Sequence, residues 1–195
     1  MIKLVIFDAY GVVLKGGYPD TCKYLADRFG EDWKQVYSII YTKYFNMAAE
    51  KKITQKQAWE MAIKELKLPI TRKGLLKIHY SFMGLNKPLI SLVKKLKMNN
   101  ILLSKNTRSQ FNDAEKQMHF RKYFKNVINT WELGLPKASK KTCNYIFRRF
   151  NVKPNEVIYT DDQEQNLVDA KELGVNTILY KNFKQFKKEF EKLTL

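Results

Sequence analysis

Residues 5–12 read Val5-Ile6-Phe7-Asp8-Ala9-Tyr10-Gly11-Val12. With Lys3 and Leu4 before it, the stretch is an apolar, β-branched run over Lys3–Phe7 that stops at a carboxylate and a glycine turn. A continuous apolar run of this length is the pattern of a strand buried on both faces, as in a parallel sheet. The carboxyl end of such a strand opens on the crevice where ligands bind. Asp8 is therefore placed to attack an electrophile or hold a metal. Taken alone, an Asp ahead of a glycine turn is more often a turn residue.

Further along the chain, similar runs recur at Ile101–Ser104, Val127–Asn129, Val157–Thr160 and Asn176–Tyr180. Helical periodicity separates them at Arg108–His119, Ala138–Phe150 and Glu164–Leu173, with Gly174 suited to a helix C-terminus. This alternation predicts an α/β fold with a doubly wound parallel sheet. One gap interrupts it. Between Gly11 and Ile101 the sequence reads as helices over Asp20–Phe29, Asp32–Ala49, Gln55–Leu66, Thr71–Phe82 and Lys87–Lys97. Thr54 with Gln57 forms a capping-box pattern for the third. The expected organisation is a core of residues 1–15 and 86–195 with a helical cap at 16–85. Gly16-Gly17 and the stretch from Gly84 to Pro88 serve as hinges of a lid.

The strand ends, taken together, specify more than Asp8 does. Ser104 closes the second strand, Lys137 follows Pro136 after the third, and Asp161-Asp162 follow the fourth. A carboxylate nucleophile, a hydroxyl, a cation and two acids make a phosphoryl-transfer constellation. The lysine offsets repulsion between an anionic nucleophile and an anionic substrate. The acids suit Mg²⁺, a hard cation that takes oxygen ligands and bridges to phosphate. Each residue also has a plain structural reading: Ser104 or Asp161 could simply cap a following helix.

At these residues the chain resembles the haloacid dehalogenase superfamily. The matching segments are Phe7 to Val12, Leu102-Leu103-Ser104, Gly134-Leu135-Pro136-Lys137 and Tyr159-Thr160-Asp161-Asp162, followed by a helix-like Asn166 to Gly174. Ala49 through Trp59 is similar to a cap segment of small phosphatases in that superfamily. The resemblance implies a Rossmann-like core with a cap and Asp8 as nucleophile. It implies Ser104 and Lys137 as binders of the transferred group, with Tyr10, Lys105 and Asn106 at the substrate. Mg²⁺ would be held by Asp8, the Tyr10 main-chain carbonyl and Asp161 or Asp162.

Two departures matter. Family phosphatases carry a second Asp where this chain has Tyr10, and a phenol with a pKa near 10 is a poor proton donor near neutrality. Losing a general acid typically costs about 10²–10⁴-fold. Asp-Ala-Tyr-Gly instead resembles the 2-haloacid dehalogenases, whose halide leaving group needs no proton. Yet Asp161-Asp162-Gln163-Glu164-Gln165-Asn166, Val12 and Cys143 depart from the dehalogenase pattern. Lys105 stands where the family usually has Asn, and Asn106 follows one place late. Arg28 is better read as a surface helix arginine than as a carboxylate-binding cap residue.

Composition narrows the setting. The 195 residues are 45% hydrophobic, enough for a substantial core, and no apolar run approaches the roughly 18 residues of a membrane span. Met1 leads straight into the first strand without a signal region, so a cytoplasmic location is expected. Cys22 and Cys143 are isolated and read as buried, inert thiols. The net charge of +17 reads as a solvated lysine surface or as attraction for anions, nucleic acid included. Three readings follow: a Mg²⁺-dependent hydrolase of a small phosphorylated compound, a dehalogenase-like hydrolase, and a non-catalytic binder of phosphorylated ligands or polyanions. Oligomeric state has no signal in the sequence.

Overall fold

The computed structural model describes residues 1–194. In chain order its elements are β1 (Leu4–Asp8), β2 (Leu14–Lys15), α1 (Tyr18–Phe29), α2 (Trp33–Tyr37), α3 (Asn46–Ala49), α4 (Gln55–Glu65), α5 (Arg72–Ser81), β3 (Gly84–Leu85), α6 (Lys87–Val93), β4 (Asn99–Ser104) and α7 (Arg108–Met118). There follow β5 (Asn126–Asn129), α8 (Thr130–Leu133), α9 (Lys140–Phe150), β6 (Val157–Asp161), α10 (Val168–Glu172), β7 (Asn176–Leu179) and α11 (Phe183–Thr194).

Five strands form one parallel sheet in the order β5-β4-β1-β6-β7. All five residues of β1 are buried, as expected for the central strand of a sheet covered on both faces. The chain fills one side of β1 with β4 and β5, then crosses to fill the other with β6 and β7. The topological switch point therefore lies beside Asp8, where open α/β sheets bind ligands. Strand alternation sorts the side chains. Leu4 and Ile6 join Val157, Tyr159 and the α9 residues Ile146 and Phe147 in one cluster. Phe7 points the other way, edge-on to Phe124 and Phe186. By the same period of two, Asp8 shares the face of Ile6, and Asp161 that of Tyr159.

The chain divides into two compact units: residues 1–14, 85–105 and 118–195 form the first, residues 15–84 and 106–117 the second. The second unit has its own core, with Tyr18, Leu25, Val36, Ile40, Phe45, Trp59 and Leu75 buried. The stretch 106–117, which the alternation assigns to the sheet, clusters instead with the helices of 15–84. The reason is a set of buried hydrogen bonds within that unit. Tyr18 Oη donates to Gln110 Oε1 at 2.8 Å, and Thr107 Oγ1 donates to Gln55 Oε1 at 3.0 Å.

The expected helix over Asp32–Ala49 is continuous but not uniform, because Ser38–Phe45 is π-helical. Its aromatic side chains account for the widening. Tyr37, Tyr41 and Phe45 lie four apart and stack in sequence at 5.0 Å centroid spacings. Tyr44 and Phe45 belong to the core of this unit, as their helical spacing suggests. The Thr54–Gln57 capping box is present. Glu164–Asn166 is a 3-10 turn, so α10 begins only at Val168. The β2–β3 pair, α8 and α11 have no counterpart in the sequence reading.

Both cysteines are free and buried. Burial pushes the Cys22 thiol up to about 12, and burial with the nearby Asp169 pushes Cys143 up to about 11, so neither offers a thiolate near neutrality. Arg28 is exposed and hydrogen-bonded to Tyr24 Oη, a surface role. Among the described residues no helix is long and apolar enough to cross a membrane.

Candidate active site

Asp8, at the carboxyl end of β1, is 4% exposed. Its backbone partner across β4 is Leu103, so Ser104 lies one residue further along the neighbouring strand. Asp161 ends β6 and is fully buried. Three strand ends thus meet, and a loop supplies the cation.

That loop is built to aim Lys137 inward. Gly134 takes the left-handed conformation (φ 68°) that closes α8 and turns the chain. Ser139 caps α9 by accepting from Thr142 N at 3.2 Å. Ser139 Oγ and Thr142 Oγ1 both donate to the carbonyl of Pro136, at 2.8 and 2.6 Å. Clamped in this way, Lys137 is 6% exposed, and its Nζ donates to both Asp8 Oδ1 and Asp161 Oδ2, the latter at 2.7 Å.

Asp161 is saturated. Oδ2 also accepts from Tyr159 Oη at 3.0 Å, while Oδ1 accepts from Gln163 N at 3.0 Å and Asn166 Nδ2 at 2.9 Å. A carboxylate has about four acceptor positions, and protein donors use all of them here. Asp162 stands at the exposed rim, directly over Gly11. A Cβ built on Gly11 would lie 2.2 Å from Asp162 Oδ2, and its φ of 96° already favours glycine, so the motif glycine makes room for the acid.

One oxygen from each of Asp8, Asp161 and Asp162 falls within 4.8 Å of the others. Three carboxylates against one ammonium leave two negative charges in excess when all are ionised. The titration directions reflect that crowding. Burial, reinforced by Asp161 and Asp162 and opposed by Lys137, raises Asp8 from 3.8 to about 8. Burial and Asp161 raise Asp162 to about 6, even though its outer side meets solvent. For Lys137, burial acts to lower the pKa, but Asp8, Tyr159 and Asp161 outweigh it and hold the ammonium well above its usual range. Lysine stays charged while Asp8 resists ionising. A divalent cation would cancel the excess charge, and oxygen donors of this kind suit Mg²⁺. Asp8 and Asp162 carry the unshared acceptor capacity, whereas Asp161 is committed to Lys137.

The remaining sequence candidates divide. Ser104 is 1% exposed at the end of β4, and its carbonyl accepts from Thr130 Oγ1 at 3.2 Å. Tyr10 is half-buried, pairs through its backbone with Leu14, and has its phenol oxygen withdrawn from solvent. Lys105 is half-buried just after β4, and Asn106 is buried but clusters with the other unit. Sequence reasoning passed over Tyr159, Asn166, Ser139 and Thr142. Tyr159 was accessible through its two-residue spacing from Asp161, and Ser139 and Thr142 through a helix-start pattern. Asn166 required the 3-10 turn that folds it back.

A family model described as "Haloacid dehalogenase-like hydrolase" matches residues 21–180. Bifunctional epoxide hydrolase 2 of Mus musculus is 26% identical over 118 residues, 57% of this chain, and that of Rattus norvegicus is 25% identical over the same length. The match spans only 21% of either relative. A HAD family enzyme of Bacteroides thetaiotaomicron superposes with a TM-score of 0.79 at 18% identity, covering 97% of this chain and 98% of its own. The wild-type form of that enzyme in complex with magnesium and inorganic phosphate gives 0.74 at 19%, covering 93% and 95%. An L-2-haloacid dehalogenase gives 0.68 at 16%, covering 90% and 85%. At these identities the structural likeness is one of fold.

Proposed function

Because the chain belongs to the haloacid dehalogenase-like hydrolase family, we propose that it hydrolyses small phosphorylated compounds with Asp8 as nucleophile and Mg²⁺ as cofactor. The supporting observation is the buried Asp8–Lys137–Asp161 arrangement with Asp162 at its rim, two charges too negative without a cation. Asp8 Oδ attacks phosphorus, the bond from phosphorus to the leaving oxygen breaks, and an aspartyl phosphate forms. Water then attacks that phosphorus and returns the Asp8 carboxylate and inorganic phosphate. Lys137 holds the nucleophile and faces the transferred oxygens, Ser104 donates to them, and Lys105 and Asn106 border the substrate. Asp8, Asp162 and the Tyr10 carbonyl would hold Mg²⁺, which would supply charge neutralisation at the phosphoryl group. Asp161 fixes Lys137. With Tyr10 in place of a carboxylic acid, the departing alkoxide takes its proton from water, which favours leaving groups of low pKa.

The dehalogenase alternative draws on Asp8-Ala9-Tyr10-Gly11. Val12, Cys143 and the Asp161-Asp162 pair depart from the dehalogenase pattern and count against it. The test is hydrolysis of an activated aryl phosphate with and without Mg²⁺. Metal-dependent turnover that falls at least about 10³-fold in Asp8→Asn is expected. Equal turnover in the variant sinks the proposal, and metal-free chloride release from a 2-chloroacid would transfer the site to the alternative.

A further inference from the structure

Helix α9 has a second face, and it carries no acid. Thr142, Cys143, Ile146 and Phe147 bury one side of the helix. On the other, Lys141, Asn144, Tyr145, Arg148 and Arg149 line, with Leu135, a concavity of about 600 Å³. That volume lies in the range of roughly 300–1,000 Å³ typical of ligand-holding clefts. Lys141 and Arg148 are seven residues apart, about 10 Å along the helix, on the same face.

Three observations bear on what this groove could hold. First, its neighbour Lys140 pairs with Glu172 at 2.7 Å, but Lys141 and Arg148 have no ion-pair partner among the described residues. Second, Arg149 is held in place: Nη1 donates to Tyr145 Oη at 2.8 Å, and the guanidinium sits over the rings of Tyr145 and Phe150 at 6.0 and 5.8 Å. Arg28 is held in the same manner by Tyr24 and Phe29. The clamp is thus a local helix device, and the concavity with its unpaired cations is what α9 adds. Third, the molecule as a whole carries +17, so a long polyanion is drawn to it from any approach.

Cations spaced along a groove beside a side-chain amide suit a phosphodiester strand: the cations meet successive phosphates while Asn144 meets a base. A single small anion would engage one end only. We propose that the α9 groove binds single-stranded nucleic acid, independently of the chemistry at Asp8.

The test uses the full chain and a labelled single-stranded oligonucleotide of about 12 nucleotides, followed by fluorescence anisotropy from about 50 to 200 mM salt. Lys141→Glu with Arg148→Glu is compared with Lys184→Glu with Lys188→Glu on α11, which makes the same change in net charge at exposed positions. The groove variant is expected to bind at least about tenfold more weakly and to lose about 1.4 from the slope of log K against log salt, two single-strand phosphate contacts. The α11 variant should stay within about threefold of wild type, and both should keep wild-type melting temperatures and aryl phosphate turnover. Equal losses in the two variants would reduce the effect to net charge and overturn the proposal. So would absence of binding by the wild type, or displacement by poly-glutamate as effective as by unlabelled oligonucleotide, which would make the groove a docking site for acidic protein.

Discussion

Two groups of polar side chains in the molecule are built on opposite principles. In the first unit, Asp8, Lys137, Asp161 and Asp162 are charged, crowded and unbalanced. In the second, Tyr18, Thr21, Gln55, His79, Thr107 and Gln110 are neutral and ordered into a directional chain. Thr21 Oγ1 donates to the Gly17 carbonyl, so it accepts from His79 Nδ1, and His79 Nε2 is left to accept from Gln110 Nε2 at 3.3 Å. Gln110 Oε1 accepts from Tyr18, whose hydroxyl accepts from Gln55, whose Oε1 accepts from Thr107. Each of these six side chains hydrogen-bonds to another of the group, whereas Trp59 Nε1 beside them is buried without a hydrogen-bond partner. The neutral chain is complete in itself and fixes α7 to its neighbours. The charged cluster is unbalanced when its carboxylates are ionised, and that imbalance is the ground on which we propose it as the functional site.

The two should differ most in pH dependence, where they have opposite signs. Burial lowers His79 from 6.5 to about 3. Between those values the unfolded chain binds the extra proton, so this contribution to stability is full above about 6.5 and is lost as pH falls toward 3. Asp8 is raised from 3.8 to about 8, so between those values the folded chain binds the extra proton. Metal-free protein should therefore lose stability from this group as pH rises from about 4 to about 8. Each tenfold difference in proton affinity between the folded and unfolded chain is worth about 1.4 kcal/mol, so each arm amounts to several kcal/mol. Thermal melts in chelator should show a maximum at acidic pH. Asp8→Asn should remove the alkaline fall and let stability climb up to about pH 6.5, His79→Gln should remove the acid rise and let stability fall from about pH 4, and added Mg²⁺ should lift the alkaline arm. A single monotonic profile shared by all three proteins would refute the contrast.

Next in size is removal of the cation. Lys137→Met leaves Asp8 and Asp161 buried without their counter-ion and should cost about 3–5 kcal/mol in denaturant titration at pH 8. Recovery of most of that loss at pH 5, where the carboxylates can take up protons, would identify charge repulsion as the cause. An equal loss at both pH values would point to packing instead. The neutral chain should respond least. Gln110→Leu removes the acceptor of the Tyr18 hydroxyl proton and the donor to His79 Nε2 and should cost about 1–3 kcal/mol, with no such recovery at pH 5.

Much of this was legible beforehand because local chemistry carries it. The apolar run at Leu4–Phe7 forms a strand in almost any context that buries both faces, and Asp8 follows it by one residue. The Thr54–Gln57 capping box closes within four residues and needs no distant partner. Other features were hidden because they depend on partners far along the chain. α7 has an ordinary helical pattern, and only the Gln110 and Thr107 contacts, reaching 31 to 92 residues back, place it with the second unit. Ser38–Phe45 has the periodicity of an α-helix, and the stacking of its rings in a packed core makes it π-helical.

The division of labour is clearest at the two adjacent acids. Residue order alone shows that Asp161 and Asp162 follow a strand-like apolar run, and that a carboxylate and a lysine follow other runs of the same kind. It could not assign the two acids different work, because they are chemically identical. The packed chain made the assignment. The two-residue strand repeat turns Asp161 into the core, where Lys137, Tyr159, Gln163 and Asn166 occupy all its acceptor positions, and leaves Asp162 at the rim over a glycine, with oxygens to share. Pattern places groups along a strand, but only packing decides which lone pairs remain unshared.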